Sequence, residues 1–245
     1  MKKDLKQTNQ GKSERKKLPF FISWILCIVS SWAILPYAKY LGIAPPSFSF
    51  IKMLLLSTVH SILFYGVACW LSYLLVPRTD LSPFSIDRPA KRIIYPGIIV
   101  GLAVGIIIYL FDITLFKSSL FSKIHPPIWA GFFASFYGAV NEEVLLRLFL
   151  FTLVYFLFKK IFKFEKNNKL LFLWVTNLIV AVIFGLGHLP VAFKLGSPSS
   201  FEIFRIFLLN GIPSIAFGWL YWTRGLWTAM AAHFVADLVI HVFLA

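Results

Sequence analysis

IWAGFFASFYGAVNEEVLLRLFLFTLVYFLF occupies residues 128–158, and its reading decides how the whole chain folds. The run is long enough to cross a bilayer as a helix, which takes roughly 20 apolar residues. Yet Glu142, Glu143 and Arg147 sit deep inside it. A charge at that depth costs at least about 2.5 to 3.5 kcal/mol on insertion scales, so such residues call for partners or for a function.

The rest of the chain has the same apolar character. Of 245 residues, 59% are hydrophobic, 18% aromatic and only 14% charged, with a mean hydropathy of +0.80. That balance excludes an ordinary soluble domain. Further apolar runs cover residues 18–36, 51–76, 93–116, 170–193, 203–222 and 225–244, and Pro45, Pro46, Pro77, Pro89, Pro126, Pro127 and Pro198 mark the breaks. The expected fold is all-α: a polytopic membrane helix bundle of about seven transmembrane helices, with no room for a sizeable soluble domain.

The formal net charge of +14 raises the question of nucleic acid. The basic residues instead border the apolar runs, where they orient a membrane protein and meet anionic lipid headgroups, and no basic stripe interleaved with aromatics stands outside those runs. The expected partners are therefore the bilayer and a membrane substrate, and not nucleic acid. Cys27 and Cys69 both lie in apolar runs, which points neither to a disulfide framework nor to a thiolate metal cluster.

Residues 1–17 form a basic tail resembling the start of a signal peptide, but the following run continues to Pro36 with no clear small-residue cleavage site, so it reads as an uncleaved first span. Placing the N-terminus in the cytoplasm puts 17 of the 24 Lys and Arg residues on that side. Six fall on the other: Lys39, Lys52, Lys117, Lys123, Lys194 and Arg205. This agrees with the positive-inside rule. The expected organisation is a cytoplasmic tail (1–17), N-terminal transmembrane helices (18–127) and a core (128–245) that carries the chemistry.

Four acidic residues lie within apolar runs: Asp112, Glu142, Glu143 and Asp237. On a helix Glu143 and Arg147 share a face four residues apart and can neutralise one another. Glu142 points about 100° away and has no charge partner on its own helix, which suits a general base or a polar contact from another helix. FGLGHLP (184–190) supplies His188, with small residues that allow close approach and Pro190 to loosen the helix just beyond. HFVADLVIH (233–241) sets His233, Asp237 and His241 in one polar stripe. Each signal alone has an ordinary structural explanation; together they mark a functional site.

Three of these motifs in order, EExxxR (Glu142, Glu143, Arg147), FxxxH (Phe184, His188) and HxxxD (His233, Asp237), resemble the CAAX protease and bacteriocin-processing (Abi) family of intramembrane proteases. The resemblance covers roughly residues 128–245; no specific motif marks the first three spans. It implies an endopeptidase of the bacterial cell membrane that cuts membrane-associated peptides or proteins. Glu142 would activate water with help from His188, His233 and Asp237 would stabilise the oxyanion, and Glu143 and Arg147 would form a structural pair. Asp237 is an awkward donor, because an ionised carboxylate repels an oxyanion. Zinc held by Glu142, His188 and His233 is the metal-dependent alternative, although HExxH is absent, and the metal-free route is favoured. A proton-coupled transporter and a non-catalytic immunity protein are the competing functions. Asp112 is expected to snorkel or cap a helix end, His60 to make a helix contact, and His241 to be structural.

Overall fold

Apolar runs punctuated by proline, glycine and serine become long helices. The computed structural model describes residues 2–84, 89–119, 124, 126–163 and 168–244, with side chains from residue 17 onward. Its elements are α1 (Lys2–Ala33), α2 (Leu35–Tyr40), α3 (Phe50–Leu75), α4 (Ala90–Thr114), α5 (Ile128–Tyr137), π-helical segments Gly138–Glu142 and Val144–Phe151, α6 (Thr152–Phe162), α7 (Lys169–Leu195), α8 (Ser200–Arg224), α9 (Leu226–Leu238) and a π-helical end, Val239–Phe243. No strand occurs among the described residues. Six helices are long and apolar enough to cross a membrane. The pieces from Ile128 to Phe162 join through residues with helical dihedrals into a seventh rod.

Helix ends follow local chemistry. Ser49 caps α3 by accepting from the Lys52 amide at 3.2 Å. Ser199 and Glu202 form a reciprocal capping box on α8. Gly225, at φ 101°, makes the turn that ends α8 and lets α9 begin at once, a conformation costly for any residue with a Cβ.

Large apolar side chains cover the outside: Ile51, Leu63 and Ile99 are 64% or more exposed. Such a surface would aggregate in water and is what lipid requires. α9 is buried at the centre, packed on α4, α5, the first π segment and α8. Gly97, Gly101 and Gly105 of α4 form its bed, and a Cβ on Gly101 would fall 2.4 Å from the Ala232 carbonyl oxygen.

Details beyond the sequence appear at several helices. α1 begins at Lys2 and runs through the basic tail, and the short α2, from Leu35, carries the first span past Pro36 to Tyr40. α7 runs on past Pro190 to Leu195; a membrane bundle tolerates an interior proline because neighbours and local adjustment satisfy the freed backbone. Asp112 pairs with Arg205 of α8, whose Nε donates to Oδ1 at 2.8 Å. Lys123, Arg88 and Lys166 lie outside the described residues.

Candidate functional site

The site grows from a change of helix type. At Gly138 the fourth rod passes from α to π, and Glu142 and Glu143 fall at the junction between its two π segments. A π turn is wider than an α turn and is frequent at functional sites. Here it aims two adjacent glutamates at one histidine of α9. Asn141 anchors the turn: fully buried, it donates through Nδ2 to the Cys27 carbonyl at 3.1 Å and accepts from Ser30, tying the turn to α1.

Glu143 has no exposed surface and binds two partners. Its Oε2 lies 3.2 Å from Arg147 Nε, the expected pair four residues apart. Its Oε1 accepts a hydrogen bond from His233 Nδ1 at 2.9 Å, a contact across 90 residues that the sequence does not announce. Arg147 is also fully buried and donates through Nη2 to the Ser214 carbonyl of α8 at 3.2 Å. Glu143 is thus more than a structural counter-ion. It fixes the ring orientation of His233, as an outer carboxylate does for a working histidine.

The other ring nitrogen, Nε2, faces two carboxyls. Glu142 Oε2 and Asp237 Oδ1 each lie 3.7 Å from it. That spacing is too long for a direct hydrogen bond and admits a bridging water or a substrate atom. Glu142 and Asp237 are 24% and 17% exposed, so this edge of the imidazole is open where the Nδ1 edge is sealed. Gly138, one turn before Glu142, makes the space: a Cβ there would stand 2.4 Å from Asp237 Oδ2 and 3.1 Å from His233 Nε2. Phe217 packs against the His233 ring at 4.8 Å between centroids.

His188 stands apart from this group. Its Nδ1 donates to the Phe184 carbonyl of its own helix at 2.9 Å, leaving Nε2 as an acceptor. Among the described residues no hydrogen bond or ion pair joins it to Glu142. Phe184 packs edge-on against both imidazoles, with ring centroids 4.6 Å from His188 and 6.4 Å from His233. The structure therefore gathers Glu142, Glu143, Arg147, His233 and Asp237, and places His188 against Phe184 with its Nδ1 bonded to its own helix.

A protein-family model described as "Type II CAAX prenyl endopeptidase Rce1-like" matches residues 124–239, which contain every one of these side chains. Over those residues the chain is similar to the Rce1-like family. The activity named for that family is endopeptidase cleavage, and six helices long and apolar enough to cross a membrane make this chain an integral, multi-pass membrane protein. No curated protein and no solved structure matches the chain.

The donors of this Rce1-like site do not fit a zinc centre as they stand. Among the described residues no three His, Cys, Asp or Glu side chains converge as metal ligands. His188 turns its Nδ1 to the backbone of its own helix. The remaining polar residues are accounted for nearby. His241 packs edge-on against Tyr37 of α2 at 5.7 Å, and its backbone meets Gly131 of α5. His60 stacks on Phe64, one turn along its own helix, at 5.1 Å. Sequence reasoning missed Gly138 and Asn141. Both sit within four residues of the glutamates, and a small residue one turn before a buried acid is the signal that would have found the first.

Proposed function

We propose that the chain hydrolyses peptide bonds of membrane-associated peptides or proteins by a metal-free, glutamate-activated mechanism. Glu142 takes a proton from a water whose oxygen attacks the scissile carbonyl carbon. His188 Nε2 offers a second acceptor to that water. The oxyanion meets His233 Nε2–H and the Asp237 acid, and Glu142 then returns its proton to the leaving amine. The observation that carries this reading is the two-sided hold on His233: Nδ1 on Glu143, Nε2 at 3.7 Å from both Glu142 and Asp237.

Charge balance supports the assignment. A cluster inside the membrane is favoured when its charges sum to zero. Ionised Glu142 and Glu143, with Arg147 and a doubly protonated His233, sum to zero only if Asp237 carries its proton. In that form Asp237 is a donor, which removes the repulsion that an ionised aspartate would present to the oxyanion.

The test uses the full-length protein in lipid vesicles with a farnesylated peptide ending in a CAAX sequence, and in parallel a proteomic comparison of membranes bearing wild-type or Glu142→Gln protein. Glu142→Gln should lower cleavage by about 10²- to 10⁴-fold, the range for losing a general base, while the protein remains folded and inserted. Full activity in both Glu142→Gln and His188→Ala would overturn the reading. Chelators should leave the rate unchanged, and abolition by chelation would transfer the chemistry to a bound metal.

A further inference from the structure

The loop between α3 and α4 lies outside the family match but touches every rod that carries the site. Asp80, in that loop, accepts from the hydroxyl of Tyr155 of α6 at 2.9 Å. Its carboxylate also meets Lys159 near the end of α6 at 3.6 Å and Lys169 at the start of α7. Three residues on, the carbonyl of buried Pro83 accepts from the amide of Leu226, the first residue of α9, at 2.8 Å. Leu81 is buried, and Phe84 packs on Trp227 of α9 and on Phe20 of α1.

The register of α9 needs such a stop. Its main neighbour, α4, meets it through Gly97, Gly101 and Gly105, where Ala231 and Val235 of α9, and Val239 just past its end, seat closely on bare backbone, so the height of α9 has to be set accurately for the two helices to fit. His233 lies seven residues after Leu226, about 10 Å along a rigid helix, so any axial slip at Leu226 reaches the imidazole undiminished. A slip of about 1 Å is enough to spoil a catalytic geometry.

We infer that Asp80 is a positioning residue for the reaction: by clamping the α3–α4 loop to α6 and α7, it holds Pro83 against the first amide of α9 and sets the height of His233 opposite Glu142. The inference rests on the functional reading above. Burial alone would raise the Asp80 carboxyl, but Lys169 and the Tyr155 hydroxyl outweigh it and hold the group below its ordinary value. A lowered carboxylate contributes above its unfolded titration, and the contribution is lost only as pH falls through the lower folded value. The clamp is therefore closed throughout the neutral range. Because Asp80, Lys159 and Lys169 are all partly exposed, salt loosens it more readily than mild acid.

The experiment compares full-length wild type, Asp80→Asn and Asp80→Glu in lipid vesicles by backbone hydrogen exchange and by cleavage of the farnesylated CAAX peptide. Asp80→Asn should increase exchange at residues 226–230 while leaving the middle of α7 unchanged. It should shift the ¹⁵N resonances of His233, and lower kcat by about tenfold with KM within about twofold. Asp80→Glu should restore most of each, and about 1 M salt should reproduce the exchange change in the wild type. Wild-type exchange at 226–230 or unchanged His233 resonances in Asp80→Asn would overturn the inference. A vigorous Glu142→Gln enzyme would instead overturn the functional reading, since exchange and resonances do not depend on cleavage.

Discussion

At the scale of single residues the decisive contrast is between Glu142 and Glu143, neighbours in the chain with opposite surroundings. Glu143 is sealed between Arg147 and His233, whereas Glu142 faces an opening that it shares with Asp237. The spacing of the motif foretold the Glu143–Arg147 pair, because four residues on a helix fix it. It could not foretell the bond from His233, which depends on how two distant rods pack. The same limit applied to His188: its placement on α7 was legible, but the rotamer that turns Nδ1 to its own backbone was not. Asp237 supplies the sharpest test at this scale. If it works as a neutral donor, Asp237→Asn keeps size and donor and should retain activity within about threefold, whereas Asp237→Ala should lose about 10²- to 10³-fold, as for loss of one oxyanion donor. An inactive Asn variant would refute the donor role.

At the scale of elements, the apolar runs announced where helices would form, since the bilayer demands about 20 apolar residues per span. What they left hidden was helix type. SFYGAVNEEVLLRLFLF has the composition of any membrane helix, and nothing in it distinguishes a π turn from an α turn; the contacts that accompany the π turn, Asn141 reaching α1 and Gly138 admitting Asp237, come from distant parts of the chain. The pairing of α4 with α9 is the other hidden element. The glycines at 97, 101 and 105 were present in an unremarked span, and their use became evident only from the atoms above them. Gly101→Leu should therefore matter far more than an ordinary apolar exchange in lipid. A Cβ there meets backbone, the Ala232 oxygen at 2.4 Å, together with Val235 Cβ at 2.8 Å, and neither is a flexible side-chain end. Forcing the helices apart should destabilise the protein by about 1–3 kcal/mol, typical of overpacking, read as a lower thermal midpoint in detergent. Gly42→Leu, in a loop where nothing lies within 4 Å of the glycine, is unsuited as a control because of its φ of +65°; Gly187→Leu, equally uncrowded and at ordinary φ, should shift the midpoint little.

At the scale of the molecule, orientation ties the chemistry to a side of the membrane. Seven rods in alternation place the tail, the Asp80 clamp and the α8–α9 turn at one end, and α2, the start of α5 and the end of α7 at the other. The basic residues cluster at the first end, as the positive-inside rule requires of a cytoplasmic face. From Ile128 at the far end to Glu142 is a rise of roughly 20 Å, so the acids sit near mid-membrane and water must reach them through protein. Impermeant maleimide labelling decides the orientation, because Cys27 and Cys69 are buried and free and contribute little background. Ser197→Cys, in the exposed loop between α7 and α8, should label in intact cells; Ser82→Cys, exposed beside the clamp, should label only after permeabilisation. The reverse pattern would place the tail and the clamp outside. In that case the salt sensitivity of Asp80 would respond to the medium rather than to the cell interior, and the charge bias would have to arise from something other than membrane insertion.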